Sequence, residues 1–488
     1  MSGGMERVEL APGLVIPRVL TGLWQVADIE RAGTMPRETA AAALAEYARA
    51  GFDGFDMADH YGSAEEIAGA TLALLAREGR RAVALTKWCP APGEMTAAVV
   101  RAGVAERCAR LGVERIDLLQ FHWWDYAHLG WFDALRGLAD LRGEGKLRAL
   151  GLTNFDADHL RLLCRHGIPV ATNQVSFSLL DRRASGRMAA IAAEHGVSLL
   201  AYGTLAGGFL SERWLGREAP EPGAIGDWSR SKYRRFIEAI GGWAALQTIL
   251  GAAAAIARRH GVSIANVATR WVLEQPRVAA VIVGARLGER EHREENRRVF
   301  DFALDAEDHE RLAQAFAQVG VVAGDCGDEY RRAPYLTASG DLSHHLAAMA
   351  APFPVRAIGG RRVAESGSSW EALAGYARAV RVGERIFVSG TTATHGTGES
   401  VCPGDAEGQA VYALDKIAGA LKSLGSSLAD VVRTRVFLRD LAAWEAVARV
   451  HGRVFGAIRP ANTLIGGAAL VGSYEVEIEA EAMVGAGG

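Results

Sequence analysis

Residues 51–62 read GFDGFDMADHYG and residues 83–88 read VALTKW. Each is a short apolar run that closes on polar side chains, Asp56 and Tyr61 in the first and Lys87 in the second. The same construction recurs in VLTGLW (19–24), IDLLQFH (116–122), LRALGLTNF (147–155), VATNQV (170–175), SLLAYG (198–203) and VAAVIVGA (278–285). Longer amphipathic segments lie between the runs, among them Glu38–Arg49, Met95–Arg110 and Phe132–Arg142. Short continuous apolar strands that alternate with helices predict a parallel sheet covered by helices. Eight such units over roughly 300 residues predict an α/β chain folded as a closed (β/α)8 TIM barrel. Ahead of them, VELAPGLVIPRVL suggests a hairpin turning at Pro12–Gly13.

The chain has 488 residues, too many for one ordinary core, so two folded units are expected. The barrel is assigned residues 1–318 and a Gly, Pro, Asp and Ser-rich linker residues 319–355, with a weak helical patch at Leu342–Met349. From residue 356 to 488 the pattern changes to long strands (RIFVSGTT, VVRTRVFLRD, YEVEIEAEAMV) and two helices, Ala406–Leu424 and Leu441–Phe455. That is a separate α+β domain. The longest connection inside the barrel, Gly203 to about Gly242, is a candidate lid or cofactor clasp.

Hydrophobic residues make up 49% of the chain and charged residues 23%, a balance that speaks against wholesale disorder. A net charge of −3 without long charged runs argues against nucleic acid or anionic lipid as a partner. The Ala-rich stretch Ala244–Ala257 is broken by Gln247, Thr248 and Gly251, so it suggests a buried helix and no membrane partner. The start, MSGGMERVEL, has no secretory pattern. Five scattered cysteines without a C-x-x-C suggest reduced thiols in a cytoplasmic protein and no metal set.

Catalytic side chains of a (β/α)8 barrel sit at the C-terminal strand ends. Asp56, Tyr61, Lys87 and His122 interrupt apolar runs at the ends of consecutive strands. In order, placement and D-x-x-x-x-Y spacing they resemble the Asp, Tyr, Lys and His tetrad of the aldo-keto reductase family, along residues 8–316. The resemblance implies a hydride moving between a nicotinamide and a carbonyl carbon, with Tyr61 as acid/base. A free tyrosine has a pKa of about 10; an adjacent Lys87 ammonium would stabilise its phenolate while Asp56 fixes the lysine. His122 would orient the carbonyl oxygen.

The same resemblance implies the cofactor residues. Thr153 and Asn154 of GLTNF, with Gln174 of TNQV, would hold the carboxamide, and Tyr202 would stack on the nicotinamide. Gly203 and Leu205 of GTLAGG would offer backbone amides to the pyrophosphate. Arg286 would meet a 2′-phosphate, with Glu295 and Asn296 near the adenine. Many members carry a second arginine where this chain has His292, so NADP is favoured with NAD possible. Trp24, Trp88, Trp123 and Trp124 fall at or just after strand ends, with Tyr126 close by, and predict an aromatic substrate pocket. A small or aromatic aldehyde suits such a mouth better than a phosphorylated sugar, because spare cations are few. His128 is expected at the surface, and Cys89 beside Lys87 as a packed thiol.

RIFVSGTTAT, SLGSSLADVVRTRVFLRD, HGRVFG, RPANTLIGG and VEIEAEA resemble the Rid family (YjgF-like imine and enamine deaminases, with a chorismate-mutase-like fold) over residues 356–484. Active members place a carboxylate-binding arginine after the Pro-Ala, where this chain has Asn462. Asparagine cannot make the bidentate charged contact. Arg459, Thr463 and Glu479 remain near the implied cleft, Glu479 as a candidate water-positioning residue. The Rid-like half is therefore expected to be an oligomerisation or ligand-binding module, and the resemblance implies a homotrimer. The alternative is a bifunctional enzyme whose Rid-like half hydrolyses an imine to a carbonyl that the barrel reduces.

Overall fold

A computed structural model describes residues 4–26, 35–221, 228–288, 292–331, 349–396 and 398–487. An N-terminal hairpin, Arg7–Ala11 and Leu14–Pro17, leads into eight parallel strands. These are β1 (Val19–Gly22), β2 (Gly54–Asp56), β3 (Val83–Trp88), β4 (Ile116–His122), β5 (Leu147–Thr153), β6 (Val170–Ser176), β7 (Ser198–Tyr202) and β8 (Val278–Gly284). They close in sequence order, β8 pairing with both β7 and β1. Leu14 and Ile16 of the hairpin pack on Leu20, Val83, Leu85, Leu118 and Leu200 inside the barrel. That plug leaves the opposite, C-terminal end as the mouth.

The barrel helices that matter here are α1 (Arg37–Arg49), α2 (Ala64–Arg77), α3 (Ala97–Leu111), α4 (Gly130–Gly143), α5 (Ala157–His166), α6 (Arg187–Glu194), α7 (Trp228–Ala239), α8 (Gly242–His260), α9 (Ile264–Leu273), α10 (Arg293–Arg297) and α11 (Ala306–Ala317). Several are fixed by local caps. Asp156 accepts from the His159 amide ahead of α5, and Ser263 and Asp305 form capping boxes ahead of α9 and α11. No single helix among the described residues is long and apolar enough to cross a membrane.

The C-terminal domain is a seven-stranded sheet, β9 (Val355–Ile358), β10 (Arg361–Ala364), β11 (Ala379–Val382), β12 (Arg385–Thr391), β13 (Val431–Leu438), β14 (Ala461–Ile465) and β15 (Val476–Met483), ordered β9-β10-β11-β12-β15-β13-β14. Its helices are α12 (Ser369–Ala374), α13 (Ala406–Ser423) and α14 (Trp444–Phe455). Period-two alternation decides its faces. Ile386, Val388, Val436, Ile478, Ala480 and Ala482 are buried, while Arg385, Phe387, Arg433 and Met483 are exposed.

Helix α13 is buried nearly all round because it lies between two layers. Its Tyr412, Asp415, Gly419 and Lys422 share one stripe and face the barrel. Tyr412 meets Trp131 and Phe132, Asp415 meets His159, and Lys422 pairs with Asp125. Gly419 sits so close that an added Cβ would lie 2.6 Å from the Ala127 carbonyl oxygen. Ion pairs flank the contact, Arg161 with Asp405 (2.8 Å) and Arg453 with Asp158 (2.6 Å). His159 is held between Asp156 and Asp415, each 2.8 Å away. Burial alone would lower its pKa, but the two carboxylates outweigh it and push it up to about 10, so His159 is a cation at this interface.

Residues 332–348, which include most of the patch expected at Leu342–Met349, lie outside the described residues. The rest of the expected linker is pinned to the folded units. The Gly320 amide donates to Ile240 O (2.7 Å), residues 324–331 run across the barrel mouth, and the Phe353 amide donates to Ser423 Oγ (2.9 Å). His128 is likewise buried, its ring 2.7 Å from Ala350 O. Gly, Asp and Pro mark a segment without helical or strand periodicity; they carry no information on whether side-chain bonds fasten it down.

Candidate active site

Strands β2, β3 and β4 end side by side, so their last inward side chains converge. Lys87 Nζ donates to Asp56 Oδ2 (2.7 Å) and to Met57 O (3.0 Å), and all three residues are buried. The same ammonium lies 4.9 Å from the Tyr61 ring centroid. Trp24 meets Tyr61 edge-on at 4.8 Å. His122 completes the group; its Nε2 is buried and without a hydrogen-bond partner among the described residues. Burial, and then the charges of Arg331, His60, Lys87 and Lys232, hold its pKa well below the usual imidazole value, so His122 is neutral. The four tetrad residues are thus assembled.

Parity separates the four tryptophans. Lys87 and His122 face inward, so Trp88 and Trp123, one residue later, face the helix layer. An added Cβ on Gly103 of α3 would lie 2.6 Å from the Trp88 ring, and Trp123 stacks on Phe121 and donates to Asp125 O and His128 O. Trp88 and Trp123 are therefore structural, not pocket residues. Tyr126 is also packed away, stacked on His159 at 3.4 Å. Trp24 and Trp124 do reach the mouth; Trp124 lies 4.2 Å from His122 and shares a small apolar cluster with Cys89 and Tyr330.

The proposed cofactor residues line an arc from β5 to α10. Thr153 Oγ1, Ser176 Oγ and Thr204 Oγ1 are buried without partners among the described residues, as expected of donors that await a ligand. Past them a hollow is lined by Leu205, Asn266, Thr269, Val283 and Asn296, and the Glu295 carbonyl holds Asn266 Nδ2 (2.8 Å). Arg286 follows β8 directly. This donor set and hollow fit a nicotinamide dinucleotide. Two of the expected carboxamide ligands are engaged elsewhere. Gln174 Nε2 donates to Asp56 Oδ1 (2.6 Å) and Gln120 Oε1 (2.8 Å), and Asn154 Oδ1 accepts from Tyr202 OH (2.8 Å).

Sequence reading missed a second group, carried by residues 324–331. Glu329, fully buried, accepts from Arg183 (2.8 Å) and from Tyr202 OH (3.0 Å). Tyr330 packs on His122 (5.2 Å) and Trp124 (5.7 Å). Arg331 donates to Asn154 O and Trp123 O, both 2.6 Å, and covers the Tyr126 ring. Gln120, which braces Asp56 from inside the barrel (3.1 Å), was also missed; standing two residues before His122, it was placed inward by parity. No metal set was expected. Among the described residues the metal-type cluster is Asp59, His60 and Cys89, with ligand atoms within 4.8 Å. Its carboxylate is already met by the Cys89 amide and His60 Nδ1, each 2.9 Å away, and by Arg107 at 3.7 Å.

In the C-terminal domain Glu479 pairs with Arg435 (2.9 Å), and Asn462 donates to Thr434 Oγ1 (2.9 Å). Arg459 and Thr463 are exposed.

The chain thus has a closed parallel TIM barrel with a Lys–Asp pair, a tyrosine and a neutral histidine at one mouth. Residues 18–317 match the family described as "Aldo/keto reductase family", and the chain belongs to it. Residues 366–484 match a second family, "Endoribonuclease L-PSP", the Rid family. Among curated relatives, "Flagellar radial spoke protein 5" of Chlamydomonas reinhardtii is 32% identical over 33% of this chain and 34% of its own length. "Protein tas" of Escherichia coli is 31% identical over 38% of this chain and 58% of its own. The chain thus spans between a third and three-fifths of these relatives. A solved glycerol dehydrogenase from Gluconobacter oxydans superposes with a TM-score of 0.52 at 26% identity, over 65% of this chain and 95% of that one.

Proposed function

We propose that the barrel interconverts a carbonyl and an alcohol with NAD(P)(H), Tyr61 acting as the proton donor and acceptor. The observation that carries this reading is the buried Asp56–Lys87 pair (2.7 Å) set 4.9 Å from the Tyr61 ring. A nicotinamide, when bound, supplies or takes up the hydride. Negative charge on the phenol oxygen is met by the Lys87 ammonium, which Asp56 and Met57 O hold in place. Neutral His122 donates from Nε2 to the carbonyl oxygen, where charge develops during reduction. Thr153, Tyr202, Gly203, Leu205, Arg286, Glu295 and Asn296 would hold the cofactor, with Asn154 contributing through its amide nitrogen because its Oδ1 accepts from Tyr202. Gln174 would act by bracing Asp56.

A screen of aldehydes and ketones that follows NADPH absorbance tests the activity. NADP(H) is the favoured cofactor; the reading is supported by Arg286, which follows β8 in the segment that resembles the family's adenosine-phosphate site. Arg286→Ala is expected to weaken NADPH about 10- to 100-fold and NADH far less, as a lost charge-assisted contact is worth roughly 1.5–3 kcal/mol. Equal weakening of both, measured by fluorescence titration, would rule out phosphate reading.

The Rid-like half is proposed as the assembly module of a homotrimer. Two features support this: Glu479 is tied to Arg435, and the helix side of the sheet is covered by the barrel. The face left open carries Phe387 and Met483. Light scattering on the full chain should give three times the mass of one chain; a monomer would remove the assembly role.

A further inference from the structure

The mouth holds a cation that the tetrad does not use. Helix α7, inside the long β7–β8 connection, sets Lys232 among three tyrosines. Its Nζ lies 2.7 Å from the Tyr330 hydroxyl and 3.5 Å from that of Tyr202. The ring centroids of Tyr330, Tyr202 and Tyr233 are 4.6, 4.7 and 5.6 Å away. No carboxylate among the described residues lies within 4.0 Å of it. Glu329, next to Tyr330 in the chain, acts on Lys232 at longer range while its carboxylate pairs directly with Arg183 (2.8 Å). Phenol rings and hydroxyls stabilise an ammonium in part, yet a half-buried lysine ordinarily takes an anionic partner.

Lys232 stands one aromatic ring from the reacting centre. The Tyr330 ring that caps it on one side packs on His122 (5.2 Å) and Trp124 (5.7 Å) on the other. Trp124 Nε1 is buried without a partner among the described residues. An indole N–H can only donate, so this buried atom lacks an acceptor among the described residues. The wall beside His122 therefore offers an ammonium bonded to phenol hydroxyls and without a paired carboxylate, and a neutral donor without a partner among the described residues. Both suit an acceptor that carries negative charge, and the Tyr330 ring touches each of them as well as His122.

We propose that the substrate is an oxo acid, its carboxylate one or two carbons from the carbonyl, anchored by Lys232 and Trp124 Nε1. The oxo acid gains a hydride at the carbonyl carbon from the reduced nicotinamide and a proton at oxygen from Tyr61. It leaves as the hydroxy acid with its carboxylate unchanged. The sequence alone favours a small or aromatic aldehyde over a phosphorylated sugar because few cations fall near the strand ends; Lys232 lies far from the tetrad along the chain.

This rests on the carbonyl-reductase reading, and the two can fail separately. With the full chain and NADPH, pyruvate and acetoacetate should show kcat/KM at least about tenfold above their methyl esters. Lys232→Met should lose about 10- to 100-fold on the acids, mainly in KM, and severalfold less on the esters. Lys232→Arg should recover part of the loss. Calorimetric titration of oxamate, a non-reducible oxo-acid mimic, into the NADP-loaded protein reads the anchor without turnover. Oxamate should bind at least about tenfold more weakly to Lys232→Met and more weakly to Trp124→Phe, which removes only the Nε1 donor. Equal losses on acids and esters, or a loss of NADP affinity that accounts for the effect, would overturn the anchor and make Lys232 a cofactor contact. Oxamate binding that Lys232→Met leaves unchanged would overturn it too. Lys232-dependent oxamate binding without reduction of any carbonyl would sink the reductase reading and support the anion anchor.

Discussion

Tyr61→Phe is expected to lower kcat about 100-fold or more while leaving cofactor binding nearly intact. The substitution deletes one oxygen and keeps the ring that packs against Trp24 at 4.8 Å, so the mouth should hold its shape. What is lost is the group that exchanges a proton with the substrate oxygen. Lys87 cannot take over, because its ammonium is committed to Asp56 Oδ2 and Met57 O. His122 cannot replace it either, since burial and nearby cations keep its imidazole neutral. Steady-state kinetics together with a cofactor titration separate the two effects. A variant that keeps a tenth of the wild-type kcat would remove Tyr61 from the mechanism.

The second large effect is expected at Gly327. Its φ is +86°, and a Cβ added there would lie 2.0 Å from Asn154 O and 2.5 Å from Arg331 Nη1. Neither neighbour can yield easily, because Asn154 is itself in the left-handed region (φ 57°) and its carbonyl is held by Arg331. Gly327→Ala should therefore cost about 2–3 kcal/mol of local stability by overlap and backbone strain. Relief comes only if residues 324–331 lift off the mouth. That would move Tyr330 away from His122 and release Asn154 and Trp123. A displacement of about 1 Å at a reacting site can cost on the order of 100-fold, so kcat/KM should fall by tens of fold or more. Limited proteolysis should then cut near this segment. Wild-type activity in a folded Gly327→Ala protein would show that the segment is no part of the site. By the same logic, ending the chain after Gln318 removes Glu329, Tyr330 and Arg331 and should cripple the barrel.

The sequence determined whatever depends on neighbours close along the chain. Strand and helix periods, the polar side chains at strand ends and the turn at Gly13 are local, so the barrel and its tetrad were legible in it. The packing of Trp88 and Trp123 was legible as well, because strand parity forbids a residue from sharing the face of the one before it. Only the tertiary structure decided which distant groups close the site. Glu329, Tyr330 and Arg331 come from a stretch with no periodicity, and Lys232 from a helix in a long connection. Glu329 and Tyr330 gain their value by meeting Arg183, Tyr202 and His122 across more than a hundred residues, and Lys232 by meeting Tyr330 across 98. The same holds for α13, whose stripe at Tyr412, Asp415, Gly419 and Lys422 docks the C-terminal domain on the barrel. Burial of that kind is a property of two surfaces together, and a pattern along one of them does not reveal the other.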